Sequence, residues 1–256
     1  MSLVIPAWNE EGRLGQTLER YCPSFKKWGT NFEIIVVTDG STDRTVEIAG
    51  RYSSQGVRVI SCSDRLGKGG AIIRGLEVAR FDWSGFVDAD GPVPPEDVLM
   101  LLNYLSEYDC AIASRFLNPN EISEGRTFAR SILSRLWNLI VSSILFLDIR
   151  DTQCGVKLFR TSAVRQVLPS VALTNWAFDA SLLFHLKQAG CRILEVPVKW
   201  TESSGSKLNI PRDGSLMLIS LLGIRAMNIR AWRIRWSHSG PADHAEGESP
   251  EPLSTP

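Results

Sequence analysis

Apolar residues fall along this chain in short unbroken runs, separated by longer stretches with helical spacing. LVIP (3–6), FEIIVV (32–37), VRVIS (57–61), SGFVD (84–88) and CAIAS (110–114) have the length and content of strands covered on both faces. EEGRLGQTLERYCPSF (10–25) and KGGAIIRGLEVARF (68–81) carry their apolar positions at helical intervals. Strands of this kind alternating with helices predict an α/β fold, Rossmann-like, with a mostly parallel sheet flanked by helices. The second half is less regular. SILSRLWNLIVSSILFLDI (131–149) reads as a long apolar helix, RDTQCGVKLFR (150–160) as a loop, FDASLLFHLKQAG (178–190) as a helix stopped by Gly190, and CRILEVPVKW (191–200) as a strand.

In such sheets a ligand sits beyond the carboxyl ends of the strands. Three polar clusters occupy those ends: Asn9-Glu10-Glu11, Asp39 to Asp43 (DGSTD), and Asp88-Ala89-Asp90. The pattern therefore predicts one chemical edge. Asp88 and Asp90 admit two readings, a solvated strand end or a site for one Mg²⁺ or Mn²⁺ whose other ligands are phosphate oxygens and water. They stand too close in sequence to act as a separated acid and base. Asp39 can accept a hydrogen bond from the ring N–H of a uracil or guanine, while Ser41 or Thr42 serves as a helix cap. Gly67, Gly69 and Gly70 around Lys68 resemble a phosphate cradle at a helix start without matching the Walker spacing. Arg115, Arg126, Arg130 and Arg135 gather downstream and suit an anionic acceptor, although Arg130 and Arg135 equally read as solvated helix charges. Asp151 and Asp179 read as candidate bases or as caps and salt-bridge partners, and His185 as structural.

Charge and composition narrow the classes. The formal net charge is zero, which excludes a general nucleic-acid binder. The stretch 237–256 holds four acids and no Lys or Arg, which leaves the first 236 residues with 28 basic groups against 24 acidic ones. Its Pro, Gly and Ser content predicts a disordered acidic tail. Five scattered cysteines without a C-x-x-C pair fit reduced thiols in a cytoplasmic protein. The opening MSLVIPAWNE lacks the basic start of a signal peptide, and no run is apolar over a full membrane span.

LVIPAWNEEGRL, DGSTDRT, LGKGGAIIRG and DADG, in that order, resemble the family 2 glycosyltransferases. DTQCGVKLFR, WAFDASLL and VPVKWTESSGSKL are similar to segments of the dolichyl-phosphate β-glucosyltransferases, with the dolichyl-phosphate mannosyltransferases as near relatives. The resemblance spans roughly residues 1–230. It implies a GT-A type fold and an inverting, metal-dependent transfer of a hexose to a polyprenyl or dolichyl phosphate. The donor it implies is UDP-glucose or GDP-mannose. Residue by residue, it implies that Pro6, Ala7, Asn9 and Glu10 form the loop holding the nucleotide. Asp39 contacts the base, and Lys68 faces the nucleotide. Asp88 and Asp90 bind Mg²⁺ or Mn²⁺, with Asp88 and Ala89 beside the donor. Arg115, Arg126, Arg130 and Ser134 receive the lipid phosphate. Asp151, Gln153 and Asp179 occupy acceptor-side and sugar-side loops, and Ser206 and Lys207 lie near the donor. The catalytic set is then Asp88, Asp90, Arg115, Asp151 and Asp179.

Two departures from the family pattern stand out. Thr38 replaces the first aspartate of the usual DDGS, and the chain ends on a polar tail where many mannosyltransferase relatives carry membrane helices. The expected organisation is a GT-A domain (1–212), a helical and basic segment (213–236) that associates with a membrane, and the tail (237–256). GSLMLISLLGIRAMNIRAWRIRW (214–236) mixes tryptophans and arginines as interfacial segments do, though its arginines do not share one helical face. Helix 131–149 is a second candidate for membrane contact. The expected place is the cytoplasmic face of a membrane, bound peripherally. Rival readings are a sugar-1-phosphate nucleotidyltransferase, a family 2 enzyme acting on a soluble acceptor, and a non-catalytic sugar-nucleotide-binding protein.

Overall fold

The computed structural model of the chain describes residues 1–29, 31–117, 128–171, 177–201 and 218–226, with the side chains of 128–132 left aside. Seven strands form one sheet among the described residues: β1 (Ser2–Ala7), β2 (Glu33–Asp39), β3 (Val57–Cys62), β4 (Trp83–Val87), β5 (Cys110–Ser114), β6 (Val156–Arg160) and β7 (Ile193–Pro197), in the order β3-β2-β1-β4-β6-β5-β7. The pairs β1/β2, β2/β3, β1/β4 and β5/β7 are parallel, while β6 runs antiparallel to both β4 and β5.

The side chains of β1 alternate between two cores, as the strand period requires. Leu3 and Ile5 enter one core with Leu14, Leu18, Tyr21 and Phe25 of α1 (Leu14–Trp28), Ala49 of α2 (Thr45–Gly50), and Val98 and Leu101 of α4 (Pro95–Leu101). Val4 enters the other, against α3 (Gly67–Glu77), α5 (Phe128–Leu145), α6 (Thr161–Val167) and α7 (Phe178–Gln188). Helices therefore cover both faces of the sheet. Gly75 lets α3 pack this closely, because a Cβ there would lie 2.7 Å from one methyl of Val4 and closer still to the other.

The main correction is β6. Residues 156–160 do not continue the expected loop; they form a strand in the middle of the sheet, with Val87 opposite Val156. Its apolar pattern is interrupted by Lys157, a residue that rarely enters a core unpaired. Lys157 is nonetheless fully buried, because Asp179 of α7 meets it. The first expected helix starts later, at Leu14, leaving residues 8–13 as a loop; α2 begins at Thr45, beyond the expected caps Ser41 and Thr42, and the short helices α4 and α6 lie where no helix was expected. The long helix begins at Phe128 and ends at Leu145, and the last strand is the shorter Ile193–Pro197.

Candidate active site

β1, β2 and β4 run into the three polar clusters of the predicted edge, β5 runs into Arg115, and β3 ends at Cys62 opposite Asp39. β6, entering from that edge because it is antiparallel, brings Gly155 to it as well. At the end of β1, Pro6 and Ala7 pair with Val37 and Thr38 of β2. The chain then turns through Asn9, whose φ of 51° is a left-handed value that asparagine tolerates better than most residues. The Asn9 side-chain oxygen accepts the Thr42 N–H at 2.9 Å, the Ser41 hydroxyl accepts the Asn9 N–H at 3.2 Å, and Thr45 Oγ1 accepts the Glu10 N–H at 2.8 Å. Ser41 and Thr42 thus clasp the first loop and do not cap α2, whose first N–H, that of Thr45, is accepted by the Asp43 carboxylate at 3.0 Å. Nearby, the Arg65 guanidinium lies 3.4 Å from the centre of the Trp8 ring.

Asp39 is the last residue of β2 and is almost fully buried. Its carboxylate accepts the backbone N–H groups of Leu66 and Gly67, the latter at 2.9 Å. The start of α3 is therefore held by a side chain from another strand. This leaves Asp39 only its remaining lone pairs for a base. Lys68, one residue further, turns its Nζ to Asp88 Oδ1 at 2.7 Å.

β4 ends at Val87, so the two carboxylates do not alternate along a strand. They sit in a turn closed by the Gly91 N–H bonding the Asp88 carbonyl at 2.9 Å. Gly91 takes φ of 53°, and Thr17 Oγ1 donates to the Ala89 carbonyl at 2.8 Å, which pins the turn between the carboxylates. The Asp88 carboxylate lies against the backbone of Gly155, where a Cβ would collide with it. Asp90 faces Arg13 at 3.8 Å, and Arg13 is bidentate to Glu10 at 2.6 and 2.7 Å. Asp88 and Asp90 keep 30% and 25% of their side chains exposed, so both remain reachable. No group of three or more potential metal-binding His, Cys, Asp or Glu exists among the described residues. A donor set of two carboxylates fits Mg²⁺ or Mn²⁺, hard ions that take their other ligands from phosphate and water.

Asp179, in the first turn of α7, is nearly buried and links two lysines. Lys157 meets its Oδ1, and Lys68 lies 3.7 Å from its Oδ2. Burial works against its charge, yet Lys157 and Lys68 outweigh this and hold its pKa below the usual carboxylate value. Burial likewise opposes the charge on Lys68, but Asp88 and then Asp179 raise its pKa above that of an ordinary lysine.

On the acceptor side, Arg115 follows β5 and grips Asp151 through Nε and Nη2 at 2.7 and 2.8 Å, with its own N–H donating at 2.9 Å. Asp151 is completely buried. Despite that burial, Arg115 keeps its pKa below the ordinary range. Asp151 is therefore a firm anion and a poor proton acceptor, which favours an orienting role. The Glu195 carboxylate accepts the N–H groups of Arg150 and Asp151 at 2.8 and 2.9 Å and fixes this loop from β7. Asn138 of α5 accepts from the Thr152 N–H and hydroxyl and donates to the Ser134 carbonyl at 3.0 Å, which ties Ser134 to the same loop. Gln153 Nε2 is buried with no hydrogen-bond acceptor among the described residues. Trp200 and Phe116 lie 5.0 and 5.4 Å from the Arg115 guanidinium.

Arg126, Ser206, Lys207 and the side chain of Arg130 lie outside the described residues, as do most of segment 213–236 and all of 237–256. Arg135 is exposed, 5.6 Å from the Phe116 ring. His185 is structural as expected, bonded through Nδ1 to the Ser181 carbonyl at 2.8 Å. Sequence reasoning missed Arg13, Lys157, Gly155 and Glu195. Gly155 and Lys157 lay inside the quoted stretch GVKLFR, but the antiparallel pairing that brings them to the site is not a local signal.

The glycosyl transferase family 2 model matches residues 2–168. The chain belongs to this family. It is accordingly a glycosyltransferase, and its mostly parallel sheet is of the GT-A kind. It is 39% identical to a dolichyl-phosphate β-glucosyltransferase of Drosophila melanogaster over 91% of this chain and 77% of that protein. It is 35% identical to the enzyme of that name from Homo sapiens over 91% and 78%. In fold it is similar to glucosyl-3-phosphoglycerate synthase from Mycobacterium tuberculosis, crystallised with Mn²⁺, UDP-glucose and phosphoglyceric acid. That match has a TM-score of 0.63 and 19% identity, covering 88% of this chain and 78% of the other.

Proposed function

We propose that this glycosyltransferase moves glucose, with inversion, from UDP-glucose to a polyprenyl phosphate of the dolichyl type. The observation that carries the reading is the shared edge. Two reachable carboxylates in one turn, Asp88 and Asp90, stand next to Lys68 and across from Gly155. Glucose is preferred to mannose because relatives at 39, 35 and 31% identity are named for glucose.

A phosphate acceptor is already anionic at neutral pH, its second pKa being about 6. Its oxygen attacks the anomeric carbon without a strong base, and this agrees with Asp151 and Asp179 being held as anions. The protein's part is to align the acceptor and to stabilise the departing diphosphate. Arg115, oriented by Asp151, would present its remaining guanidinium N–H groups to the acceptor phosphate, with Gln153 beside it. Arg126, Arg130 and Ser134 would extend this cradle. Asp39 holds the start of α3 so that Lys68 faces the nucleotide, while Pro6, Ala7, Asn9 and Glu10 would line the base and ribose. A divalent cation held by Asp88 and Asp90 would neutralise charge on the leaving diphosphate. Ser206 and Lys207 would close on the donor.

Peripheral contact with a membrane on its cytoplasmic face is part of the proposal. Among the described residues no helix is long and apolar enough to cross a membrane. The outer side of α5 nevertheless exposes Leu133, Leu136 and Leu139, and the helix at 218–226 exposes Leu218, Ile219 and Leu222. Arg225 lies 4.5 Å from the exposed Phe146 ring, which joins the helix at 218–226 to the C-terminal end of α5 and sets a cation beside an apolar surface.

The test is transfer of radiolabelled glucose from UDP-glucose into organic-extractable polyprenyl phosphate, with Mn²⁺ and with EDTA, beside a parallel assay with GDP-mannose. Metal-dependent lipid label from UDP-glucose alone is expected. Label only in a water-soluble phosphate acceptor such as phosphoglycerate would replace the lipid reading with the soluble-acceptor one.

A further inference from the structure

Lys157 is a fully buried lysine in the centre of the sheet, and the chemistry outlined above makes no use of it. Its Nζ donates to the Cys154 carbonyl at 2.7 Å and to Asp179 Oδ1. The other Asp179 oxygen faces Lys68 at 3.7 Å, and Lys68 rests on Asp88 Oδ1 at 2.7 Å. Four alternating charges thus run from the core of the sheet to the turn carrying Asp88 and Asp90. Buried charge of this kind is retained only when paired. The pairing here is uneven, with Asp179 contacted closely by Lys157 and only loosely by Lys68.

We propose that Lys157 is a positioning residue that decides where Lys68 rests. By taking up one oxygen of Asp179 it lowers the pull of Asp179 on Lys68, which therefore settles on Asp88. When a divalent cation claims Asp88, the ammonium must leave, and the outer oxygen of Asp179, already 3.7 Å away, is the seat it moves to. Lys68 and the cation then compete for Asp88, and Asp179, fixed by Lys157, sets the terms. The lack of a side chain at Gly155 gives the Asp88 carboxylate its place beside that backbone. This inference rests on the reading of Asp88 and Asp90 as the metal carboxylates.

The test is a double-mutant cycle read by Mn²⁺ binding, with Mn²⁺ alone titrated into the full chain and the free ion followed by electron paramagnetic resonance. Lys157→Met should strengthen Mn²⁺ binding at least about fivefold, the lower end of ordinary coupling between sites, because Lys68 is drawn off Asp88 onto the uncompensated Asp179. Asp179→Asn should weaken binding by a similar factor, because Lys68 loses its second seat. Both effects should shrink to less than about twofold in a Lys68→Met background. Shifts of the same size with and without Lys68 would mean that the charges act directly through space, which overturns the relay. If Lys157→Met does not fold, the Asp179→Asn and Lys68→Met arm decides by the same criterion. Wild-type protein that binds no more Mn²⁺ than Asp88→Ala would bring down the metal reading and the inference together. Wild-type binding without the coupling would bring down the inference alone.

Discussion

At the scale of single residues, the site is governed by which charges are closely paired and which stay reachable. Asp151 and Asp179 are enclosed and matched by Arg115 and Lys157, whereas Asp88 and Asp90 keep a quarter or more of their side chains open to solvent. Enclosed pairs orient their neighbours; open carboxylates can still take up a cation. Asp90→Asn removes one negative charge from a partly exposed turn, so the fold should persist while kcat falls by about 10²–10³, the usual cost of losing one group that stabilises transition-state charge. Steady-state kinetics in saturating Mn²⁺, with the melting temperature as control, checks this; kcat within about twofold of the parent would remove Asp90 from the site. The carboxylates at 88 and 90 were legible in the sequence because DADG follows an apolar strand. The approach of Arg13 to Asp90 was not, nor was that of Lys157 to Asp179, since these partners come from distant segments.

At the scale of elements, β6 shapes the site most. It is the sole antiparallel strand among those described, and its direction carries Gly155 to the active edge. Gly155→Ala should be accepted by the backbone, because no positive φ is required there. The added Cβ would, however, displace the Asp88 carboxylate that occupies its place. An ångström-scale misplacement near reacting groups costs about 10²-fold in rate. The expected result is therefore a large fall in kcat with a small change in melting temperature. Unchanged kinetics would show that Asp88 adjusts freely. The other strands were read from their apolar runs, but β6 was read as loop because Lys157 breaks the pattern. The clasp between the 8–13 loop and DGSTD was also unread. Its hydrogen bonds join residues more than thirty positions apart, such as Asn9 and Thr42, and nothing local marks them.

At the scale of the whole molecule, paired buried carboxylates tie stability to pH. Asp151 has a folded pKa below the value of about 3.9 it would show in an unfolded chain. Its stabilising contribution is therefore present above about pH 4 and is lost as pH falls through the folded value. Asp179 adds to the same acid limb with the same sign. Denaturant unfolding between pH 6 and 3 should show a steeper loss of stability in the parent than in Asp151→Asn, the variant being less stable at neutral pH because Arg115 loses its ionised partner. Parallel pH profiles would argue that this pair is unimportant to acid unfolding. The sequence alone determined the alternation of strands and helices, the edge on which the polar clusters lie, and the ordered motifs of the family. All of these follow from local periodicity and from the rule that parallel strands end on one side. Tertiary structure alone decided that a lysine sits in the core, that Asp39 secures the start of α3, and that Lys68 shares itself between Asp88 and Asp179. Those outcomes depend on which side chains meet across the sheet, and burial energies are settled by that meeting.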